Sequence, residues 1–436
     1  MQENYNTEFK QSWRDEYLKT LCAFANTHGG ILYVGKDDDG NVVGLDNDKK
    51  TLEDLPNKIR SKLGILADVQ HHKTDGKDYL SIEITAYPYQ PISYDGRYYR
   101  RSGSTTQLID GTELEHFLLS KHGRTWDTVP IAHVASEDLS LEVIHRFKTK
   151  VMQTGRLTEI QNWDNHLLLN KLHLFAERGE LTRAAILLFH NDPERWIKGA
   201  FIKIAAFDTN GELRFQDSVN GSLIEQIDKT LDLLKTKYLT YDISFEGASR
   251  RERLRLPEIA LRESLLNAIA HKDYSDSTPT QIKVYPHKVV FWNAGRLPEN
   301  WSIQTLWNGH HSKPFNSLIA DALLRSGDIE SIGSGYERIK RAMREYQLPK
   351  PDITVLGGLQ ISYISNLTAW WLQQGLSDDQ ITILQFAYNN GRISNQQIQN
   401  LLSISSATAK RLLNELSPFM QKHGERGRNV FYTIKL

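Results

Sequence analysis

The feature that most constrains the fold is a helical stretch that is too apolar for the surface and still carries a line of polar groups. Residues 262–274 read RESLLNAIAHKDY, a run rich in good helix formers with an apolar face. Glu263, Asn267 and His271 recur at every fourth position, and this spacing stacks side chains on one face of a helix. The chain must either direct these groups into a common site or satisfy them at a domain interface.

The length and charge of the chain limit what it can be. Its 436 residues exceed one ordinary domain and predict roughly two to four. The 53 basic and 53 acidic residues give no net charge, so any binding to nucleic acid must come from local basic patches. The single cysteine, Cys22, lies in the apolar run TLCAFAN, which predicts a small buried side chain and excludes a disulfide framework.

The location of the protein is predicted from its apolar runs. The segment MQENYNTEFK lacks the apolar core of a signal peptide, and no apolar run is long enough to span a bilayer. We therefore expect a cytoplasmic protein without a membrane partner. A homo-oligomer is compatible with the sequence, which does not fix the number of copies.

Hydrophobic periodicity and turn signals predict a multidomain protein of mixed α/β (α+β) class. The first segment alternates helical patterns with strands such as YLSIEITAY, and the second holds helices and a β-rich part that includes AAILLFH and GAFIKIAAF. The third combines the helix with the polar line and a predicted hairpin, QIKVYPHKVVFWNAGRLPEN. The predicted segments are 1–120, 121–250, 251–370 and 376–436.

The last segment has the pattern of a winged helix-turn-helix. Three predicted helices, ending with SATAKRLLNEL, precede a predicted two-stranded wing with a glycine-rich tip. In such a fold the third helix can enter a DNA major groove, to which it would offer Lys410 and Arg411. Arg426 and Arg428 of the wing suit phosphate contacts. The same scaffold also serves as a protein–protein module, and this alternative stays open.

A second group of candidate residues is acidic and lies near the amino terminus. Glu3 and Glu8 precede the first predicted helix, and Asp46 ends the predicted strand VVGLD. Three carboxylates can hold a divalent cation, Mg²⁺ or Mn²⁺, and the cation can activate water against a phosphodiester. The alternative is a set of solvated acids. Basic residues that could grip a nucleic-acid backbone are Lys10, Lys19, Arg97, Arg100 and Arg101.

The segments ENYNTEFKQSW, TLCAFANTHGGILYVGKDDDGNVVGLD and YYRRSGSTT resemble the Schlafen AlbA-type domain. The resemblance covers the first quarter of the chain and implies contact with nucleic acid. In nuclease members of that family two glutamates and one aspartate hold a metal ion, and structured RNA such as tRNA is cut. Glu3, Glu8 and Asp46 fall at the matching positions. Many bacterial relatives with this domain resemble nucleic-acid binders that do not cleave.

The runs LPEIALRESLLNAIAHKDYS, VVFWNAGRLP and HSKPFNSLIADALLRSGDIESIGSGYERI resemble a divergent GHKL-type ATPase module, an α/β sandwich shared with gyrase and histidine kinases. The resemblance gives the polar line of the helix a function. Glu263 would orient the attacking water, and Asn267 would coordinate the magnesium ion that bridges the phosphates of ATP. His271 would lie at the same rim.

Two further elements of the resemblance concern the phosphates and the base. Gly333 and Gly335 would open a helix whose free N–H groups suit phosphate. Where the family has an aspartate for the adenine amino group, this chain reads Asn293-Ala294-Gly295, so the predicted base contact brings no charge. A Walker A loop, G-x-x-x-x-G-K-[ST], is absent from the sequence, which argues against a helicase motor.

Three functions are consistent with these patterns. The first is an ATP-responsive, DNA-binding transcription regulator with a nucleic-acid domain at each end, in which ATP is bound and hydrolysis is weak. The second is a metal-dependent endoribonuclease of Schlafen type that acts on tRNA or another structured RNA, for example in phage defence. The third is a scaffold that uses neither acidic cluster nor nucleotide. Convergence of the three amino-terminal carboxylates would favour the second.

Overall fold

The computed structural model describes most of the chain. The described residues are 3–45, 48–239, 241–246, 249–298, 301–308, 311, 313–329, 333–425 and 430–435, with backbone alone at 48–51, 241–246 and 249–252. The chain divides into two units, Met1–Trp126 and Asp127–Leu436. Mixed helices and sheets in both units confirm the predicted α/β multidomain class. Of the described helices, none has the length and apolarity needed to cross a membrane.

The first unit is built on a four-stranded sheet of order β1-β2-β4-β3 and a smaller sheet of order β5-β6-β7. β1 runs parallel to β2, and the other pairs are antiparallel. Leu32, Leu80 and Ile82 of the sheet share one core with Leu21 and Phe24 of the first helix. The elements are β1 (Thr7–Lys10), α1 (Leu18–Asn26), β2 (Gly30–Val34), α2 (Asp48–Leu63), β3 (Asp68–Thr74), β4 (Lys77–Ile84), β5 (Ser93–Tyr94), β6 (Arg97–Ser102), β7 (Thr105–Ile109) and α3 (Gly111–Lys121).

Polar side chains at the end of α1 fix its position. The buried Asn26 amide donates to the carbonyls of Ile92 (2.8 Å) and Tyr99 (2.9 Å) and accepts from the Ile92 N–H (2.9 Å). These bonds satisfy the amide fully enough to offset the cost of burying it. Cys22 is buried as predicted, and burial raises the pKa of its thiol to about 12, so it behaves as a small apolar side chain.

The second unit contains a six-stranded sheet of order β14-β15-β13-β12-β8-β9. β8 and β12 are parallel, and the remaining neighbours are antiparallel. Strands from the predicted segments 121–250 and 251–370 therefore share one sheet. The elements up to the eighth helix are α4 (Leu141–Thr154), α5 (Asn165–Lys171), α6 (Arg183–Phe189), β8 (Ile202–Phe207), β9 (Leu213–Val219), α7 (Leu223–Leu233), β10 (Tyr241–Glu246), β11 (Ser249–Leu254) and α8 (Glu258–Ala270).

The remaining elements of this sheet region follow α8. They are β12 (Thr280–Val284), β13 (Lys288–Asn293), α9 (Ile303–Trp307), α10 (Ser317–Arg325), α11 (Gly335–Glu345), β14 (Asp352–Val355), β15 (Leu359–Ile364) and α12 (Leu367–Gln373). α8 packs on β13 and also meets α7, α10 and α11. A helix covered on several sides must be apolar nearly all round, which explains its composition. The predicted hairpin after this helix is confirmed as β12 and β13.

One predicted strand is wrong. The run AAILLFH forms α6, whose residues from Ala184 to Phe189 are all buried. Thr182 caps the helix by accepting a hydrogen bond from the N–H of Ala185. A fully apolar run has neither a helical nor an alternating period, so a buried helix and a buried strand look alike in sequence. The following run is a strand as predicted, β8.

The last elements occur in the predicted order of three helices and a hairpin. They are α13 (Asp378–Asn390), α14 (Asn395–Leu402), α15 (Ser406–Glu415), β16 (Met420–His423) and β17 (Phe431–Ile434). Ser377, Ser394 and Ser405 cap the three helices, each accepting a backbone hydrogen bond. Gly391 ends α13 in a left-handed conformation, at φ 74°, where glycine carries no penalty. A bridge between Ile393 and Tyr432 joins the hairpin to the helices.

A carboxylate from a distant part of the sequence caps α10. Asp127 is fully buried, and its Oδ2 accepts from the N–H groups of Leu318 (2.9 Å) and Ile319 (3.0 Å). These donors belong to the first turn of α10, where an anion is favoured. Asn316, just before α10, donates to the carbonyls of Ala270 (3.1 Å) and Lys272 (2.8 Å), which end α8. Asp127 therefore holds the first turn of α10 in place, and Asn316 connects the start of α10 to the end of α8.

We expect Asp127→Ala to lower the free energy of unfolding by about 2–4 kcal/mol, because two buried N–H groups lose a charged acceptor. Chemical denaturation followed by circular dichroism measures the change. The matched control is Asp232→Ala, which removes an exposed carboxylate of α7 and should stay within about 0.5 kcal/mol of the parent. A loss as small in Asp127→Ala as in the control would contradict the capping role.

Candidate functional site

The polar line of α8 opens into a cavity of about 200 Å³. Glu263, Asn267 and His271 all lie in its wall, as their spacing predicts. The remaining wall comes from the segment after β13, from α9 and α10 and from the start of α11. Its members include Arg296, Leu297, Pro298, Trp301, Leu306, Ser317, Ala320, Asp321, Leu324, Gly333, Gly335 and Tyr336. The three polar side chains therefore face a cavity, and satisfaction at a domain interface does not account for them fully.

The start of α11 approaches the polar line closely at Gly335. A Cβ at Gly335 would lie 2.6 Å from Glu263 Oε2 and 3.6 Å from Asn267 Nδ2. A side chain at this position would therefore require the Glu263 carboxylate to shift. Gly333 also lies in the cavity wall. The first turn of α11 thus brings backbone N–H groups next to a carboxylate and an amide, and such N–H groups suit an anion.

Glu263 is held by an arginine that the sequence analysis did not single out. Arg338 Nη1 lies 3.0 Å from Glu263 Oε1, and the two side chains are 14% and 8% exposed. Arg338 stands one turn into α11, three residues after Gly335. The only sequence signal was the placement of Y-E-R-I directly behind the glycines. A buried carboxylate needs such a partner, because an unpaired charge in this position is costly.

His271 and Arg296 form one side of the cavity, and both contact the ring of Phe315 behind it. The His271 and Phe315 rings meet edge to face, 6.4 Å apart, and the Arg296 guanidinium lies 5.7 Å from the Phe315 ring centre. The backbone N–H of His271 donates to the Asn267 carbonyl and ends α8. This side of the cavity therefore offers an imidazole and a guanidinium beside an aromatic ring.

Asn293 and Gly295, predicted to contact the base, do not belong to the cavity wall formed by the described residues. Asn293 ends β13 and is 3% exposed. A Cβ at Gly295 would lie 2.6 Å from Asn293 Nδ2 and 2.7 Å from the His271 carbonyl. The two residues pack beneath the end of α8, where the absence of a side chain at position 295 permits the close approach. Gly295 thus lies against the backbone of His271, and the predicted base contact stays a prediction.

The acidic cluster of the first unit is organised around cations of the protein. Lys10 Nζ lies 2.7 Å from Glu8 and 3.5 Å from Glu3, and Arg101 Nη1 lies 2.9 Å from Glu8. Glu3 also accepts from the Phe9 N–H at 2.8 Å. Burial alone would lower the pKa of Lys10, but the hydrogen bond and charge of Glu8, with Glu3, raise it above its ordinary value. Glu3 and Glu8 therefore converge, and an ammonium group stands where they meet.

The third predicted metal ligand, Asp46, lies outside the described residues. Within the ranges that the structure describes, no three His, Cys, Asp or Glu side chains are grouped to hold a metal ion. Glu3 and Glu8 alone do not fit a divalent cation while Lys10 and Arg101 neutralise them, because the cation would have to displace a bound positive charge.

Arg101 was predicted to contact nucleic acid, and this prediction is wrong. Its side chain is 1% exposed. Besides pairing with Glu8, it donates to the hydroxyl of Thr106 (3.1 Å) and to the Asn4 carbonyl (3.0 Å), and it lies over the Phe24 ring. Burial and charge pairing make it a structural residue. Alternation along β6 places every second side chain on the core side, which a basic run such as YYRRSG does not reveal.

The other predicted nucleic-acid contacts differ in their exposure. Lys19 and Arg97 are exposed, whereas Arg100 is partly buried and pairs with Glu113. Lys10 is engaged by the acidic cluster.

In the second unit, Lys410 and Arg411 are exposed on α15, and Arg411 Nη1 lies 3.3 Å from Glu415 in the same helix. Arg426 and Arg428 of the predicted wing lie outside the described residues.

Two family models match separate parts of the chain. Residues 3–110 match "Schlafen, AlbA_2", and residues 277–360 match "Putative ATP-dependent DNA helicase recG C-terminal". The first match includes β1 to β7, and the second includes β12 to β14 with α10 and α11 and ends at the start of β15. The polar line of α8 stands just before the second match. No curated protein matches the chain significantly.

Solved structures also resemble the chain. The crystal structure of the DIP2311 protein from Corynebacterium diphtheriae is 18% identical, with a TM-score of 0.47 over 99% of this chain and 92% of that chain. The solution structure of the N-terminal domain of a RecG-related protein from Nitrosomonas europaea is 27% identical, with a TM-score of 0.18 over 23% of this chain and 80% of that domain. Of these comparisons, the two family models assign similarity to defined parts of the chain: residues 3–110 to Schlafen, AlbA_2 and residues 277–360 to the recG C-terminal family.

Proposed function

We propose that this protein is an ATP-responsive, nucleic-acid-binding regulator of transcription. The polar line of α8 and the glycine start of α11 line the same cavity, and this observation carries the nucleotide part of the proposal. Gly333 and Gly335 both lie in the wall of this cavity, so the backbone at the start of α11 borders the space that a ligand would occupy. The HATPase-like match over residues 277–360 supports ATP as that ligand.

The residues of the cavity suit magnesium-bound ATP. Bound Mg²⁺ would neutralise phosphate charge, and Asn267 supplies an amide oxygen of the kind that this ion accepts as a ligand. The N–H groups of the first turn of α11 would hold phosphate oxygens, and His271 and Arg296 would face the ligand from the other side. Gly333 gives the chain the freedom to approach closely, at φ 92°.

Binding without rapid turnover is what the Glu263 environment supports. A general base must take a proton from the attacking water, which requires a free carboxylate oxygen at the right place. Here Arg338 pairs with Oε1 of Glu263, so a base role would fall to the other oxygen, Oε2. We therefore assign Glu263 the role of anchoring α11 in the resting protein and propose that hydrolysis is slow.

The nucleic-acid part of the proposal is based on both ends of the chain. The AlbA_2 match covers the amino-terminal unit, where Lys19 and Arg97 are exposed. The helices and hairpin of residues 378–434 have the order of a winged helix-turn-helix, and we propose that they form one. α15 then reads the DNA major groove, with Lys410 and Arg411 on its exposed face.

The second candidate is a Schlafen-type endoribonuclease that cuts tRNA or another structured RNA. The convergence of Glu3 and Glu8 favours it. Cleavage would require a divalent cation, Mg²⁺ or Mn²⁺, to replace the ammonium of Lys10, and a further carboxylate such as Asp46. We rank it second because the two described acids are already neutralised by Lys10 and Arg101.

Asn267→Ala should weaken magnesium-ATP binding about tenfold or more, because the amide is the only candidate metal ligand in the polar line besides the paired Glu263. Isothermal titration of the full chain measures the dissociation constant. Asn400→Ala, which removes an exposed amide of α14, is the matched control and should bind like the parent. Absence of heat with the parent protein would remove the nucleotide part of the proposal.

Replacing Lys410 and Arg411 together by alanine should weaken binding to duplex DNA and lower the salt slope of log K by about one per lost phosphate contact. Fluorescence anisotropy across a salt series measures both quantities. Lys198→Ala removes an exposed lysine elsewhere in the unit and should change neither. A double variant that binds like this control would show that α15 does not meet DNA.

The ranking of the two functions is tested on tRNA in manganese. If the protein only binds, the parent leaves tRNA intact while retaining affinity for it. If it cleaves, Glu8→Ala and the milder Glu8→Gln should both abolish cleavage and leave duplex DNA binding unchanged. Glu83→Ala, which removes an exposed acid of β4, is the control. Cleavage that persists in both Glu8 variants would exclude the acidic cluster as the active site.

A further inference from the structure

A second cavity, of about 440 Å³, lies inside the second unit between the sheet region and the C-terminal helices. It is separate from the α8 cavity and shares none of its wall residues. The end of β11, the end of α11, α12 and the second half of α13 contribute to it. Its wall consists of Arg253, Leu254, Arg255, Tyr346, Leu348, Ser365, Asn366, Leu367, Thr368, Trp371, Gln385, Tyr388 and Asn389.

The charge of this wall is one-sided. It contains two guanidinium groups, Arg253 and Arg255, and none of the described residues in it is acidic. The other polar members are hydroxyl and amide side chains, which can donate to an oxyanion. An anion that enters would therefore meet two guanidinium groups and no carboxylate of the described wall, and this complementarity favours it over a neutral or cationic ligand.

Arg253 is held in place before any ligand arrives. Its guanidinium carbon lies 3.7 Å from the centre of the Tyr346 ring, and Nη2 donates to the Glu345 carbonyl at 3.2 Å. Stacking fixes the plane of the group, and one carbonyl uses one of its five N–H donors. A preorganised guanidinium loses less entropy on binding than a mobile one.

Arg255 adds the second donor group to the same cavity. It stands two residues after Arg253, just beyond the end of β11, and both side chains lie in the cavity wall. It is partly buried, so its charge is less screened than that of a surface arginine. Two guanidinium groups in one cavity form an arrangement that suits the geometry of phosphate oxygens.

Aromatic side chains line the same space. Trp371 is 1% exposed, and Tyr388 and Tyr346 complete this part of the wall. The Tyr388 hydroxyl donates to the Tyr346 carbonyl at 3.4 Å, which joins α13 to the end of α11. Rings beside two guanidinium groups provide for both parts of a nucleotide, the base and the phosphate. The cavity volume lies within the range of about 300–1,000 Å³ typical of small-ligand sites.

We propose that this cavity binds the phosphate of a nucleotide, either free or as a unit of a nucleic-acid strand. Arg253 and Arg255 hold the phosphate, and the partly buried rings of Tyr346 and Tyr388 receive the base. A ligand here contacts the sheet region through Arg253 and the C-terminal helices through Tyr388 and Asn389, so it ties the two together. The inference uses none of the residues of the proposed ATP site and does not depend on that site.

The test titrates sodium phosphate, ADP and a short thymidine oligonucleotide into the full-length protein by calorimetry. We expect at least one probe to bind and Arg255→Gln to weaken it about tenfold. Arg253→Lys keeps the charge but loses the planar fork, and should weaken the same probe several-fold. Arg344→Gln removes an exposed arginine of α11 outside the cavity and should bind like the parent. Circular dichroism confirms that each variant is folded.

The probes distinguish a free nucleotide from a nucleic-acid strand, and the variants distinguish this cavity from the α8 cavity. Binding of phosphate or ADP indicates a free nucleotide, and binding of the oligonucleotide alone indicates a strand. Binding that survives Asn267→Ala but not Arg255→Gln belongs to this cavity. The proposal is overturned if no probe binds, or if every probe that binds keeps its affinity in both Arg255→Gln and Arg253→Lys. In that outcome Arg253 merely caps the end of α11.

Discussion

The ion pair between Glu263 and Arg338 is the interaction on which the candidate site depends. It joins α8 to α11, and both side chains are largely buried. Because neither charge can be left unpaired at low exposure, the distance between the two helices is set by this contact. Gly335 lies at the same contact, where a Cβ would stand 2.6 Å from Glu263 Oε2 and would displace the carboxylate. The cavity is the space that this approach leaves open.

The other faces of α8 are fixed by polar contacts of the same kind. Asp328 is 3% exposed and pairs with Arg262 of α8 (2.9 Å) and with Lys150 of α4 (3.4 Å). Ser326 donates to the same carboxylate at 2.6 Å. At the other end, Asn316 satisfies the last carbonyls of the helix. An apolar helix could rotate within its core, but these directional bonds fix which face meets the cavity.

The sequence allowed the polar line of α8 to be predicted because helical spacing is a local property. The partner of Glu263 could not be predicted, because Arg338 reaches it through the packing of two helices distant in the chain. The same limit applies to Asp127, which caps α10 from a position 191 residues before Leu318 in the chain. Local capping serines in the last segment were predictable, whereas the wholly apolar run of α6 had no period to interpret.

The acidic cluster shows why residue type and spacing do not decide a metal site. Glu3 and Glu8 do meet, but two carboxylates there face two protein cations, Lys10 and Arg101. Arg101 is deeply buried, and its charge needs the carboxylate of Glu8 as a partner in these apolar surroundings. The guanidinium therefore stays beside Glu8. Lys10 is 22% exposed and can move toward water. Of the two cations, therefore, only the ammonium can give way to a divalent ion, and the added charge would then need a third carboxylate. The presence of Glu3 and Glu8 does not by itself indicate a nuclease. The balance between their charges and those of Lys10 and Arg101 decides whether this cluster can hold a metal ion.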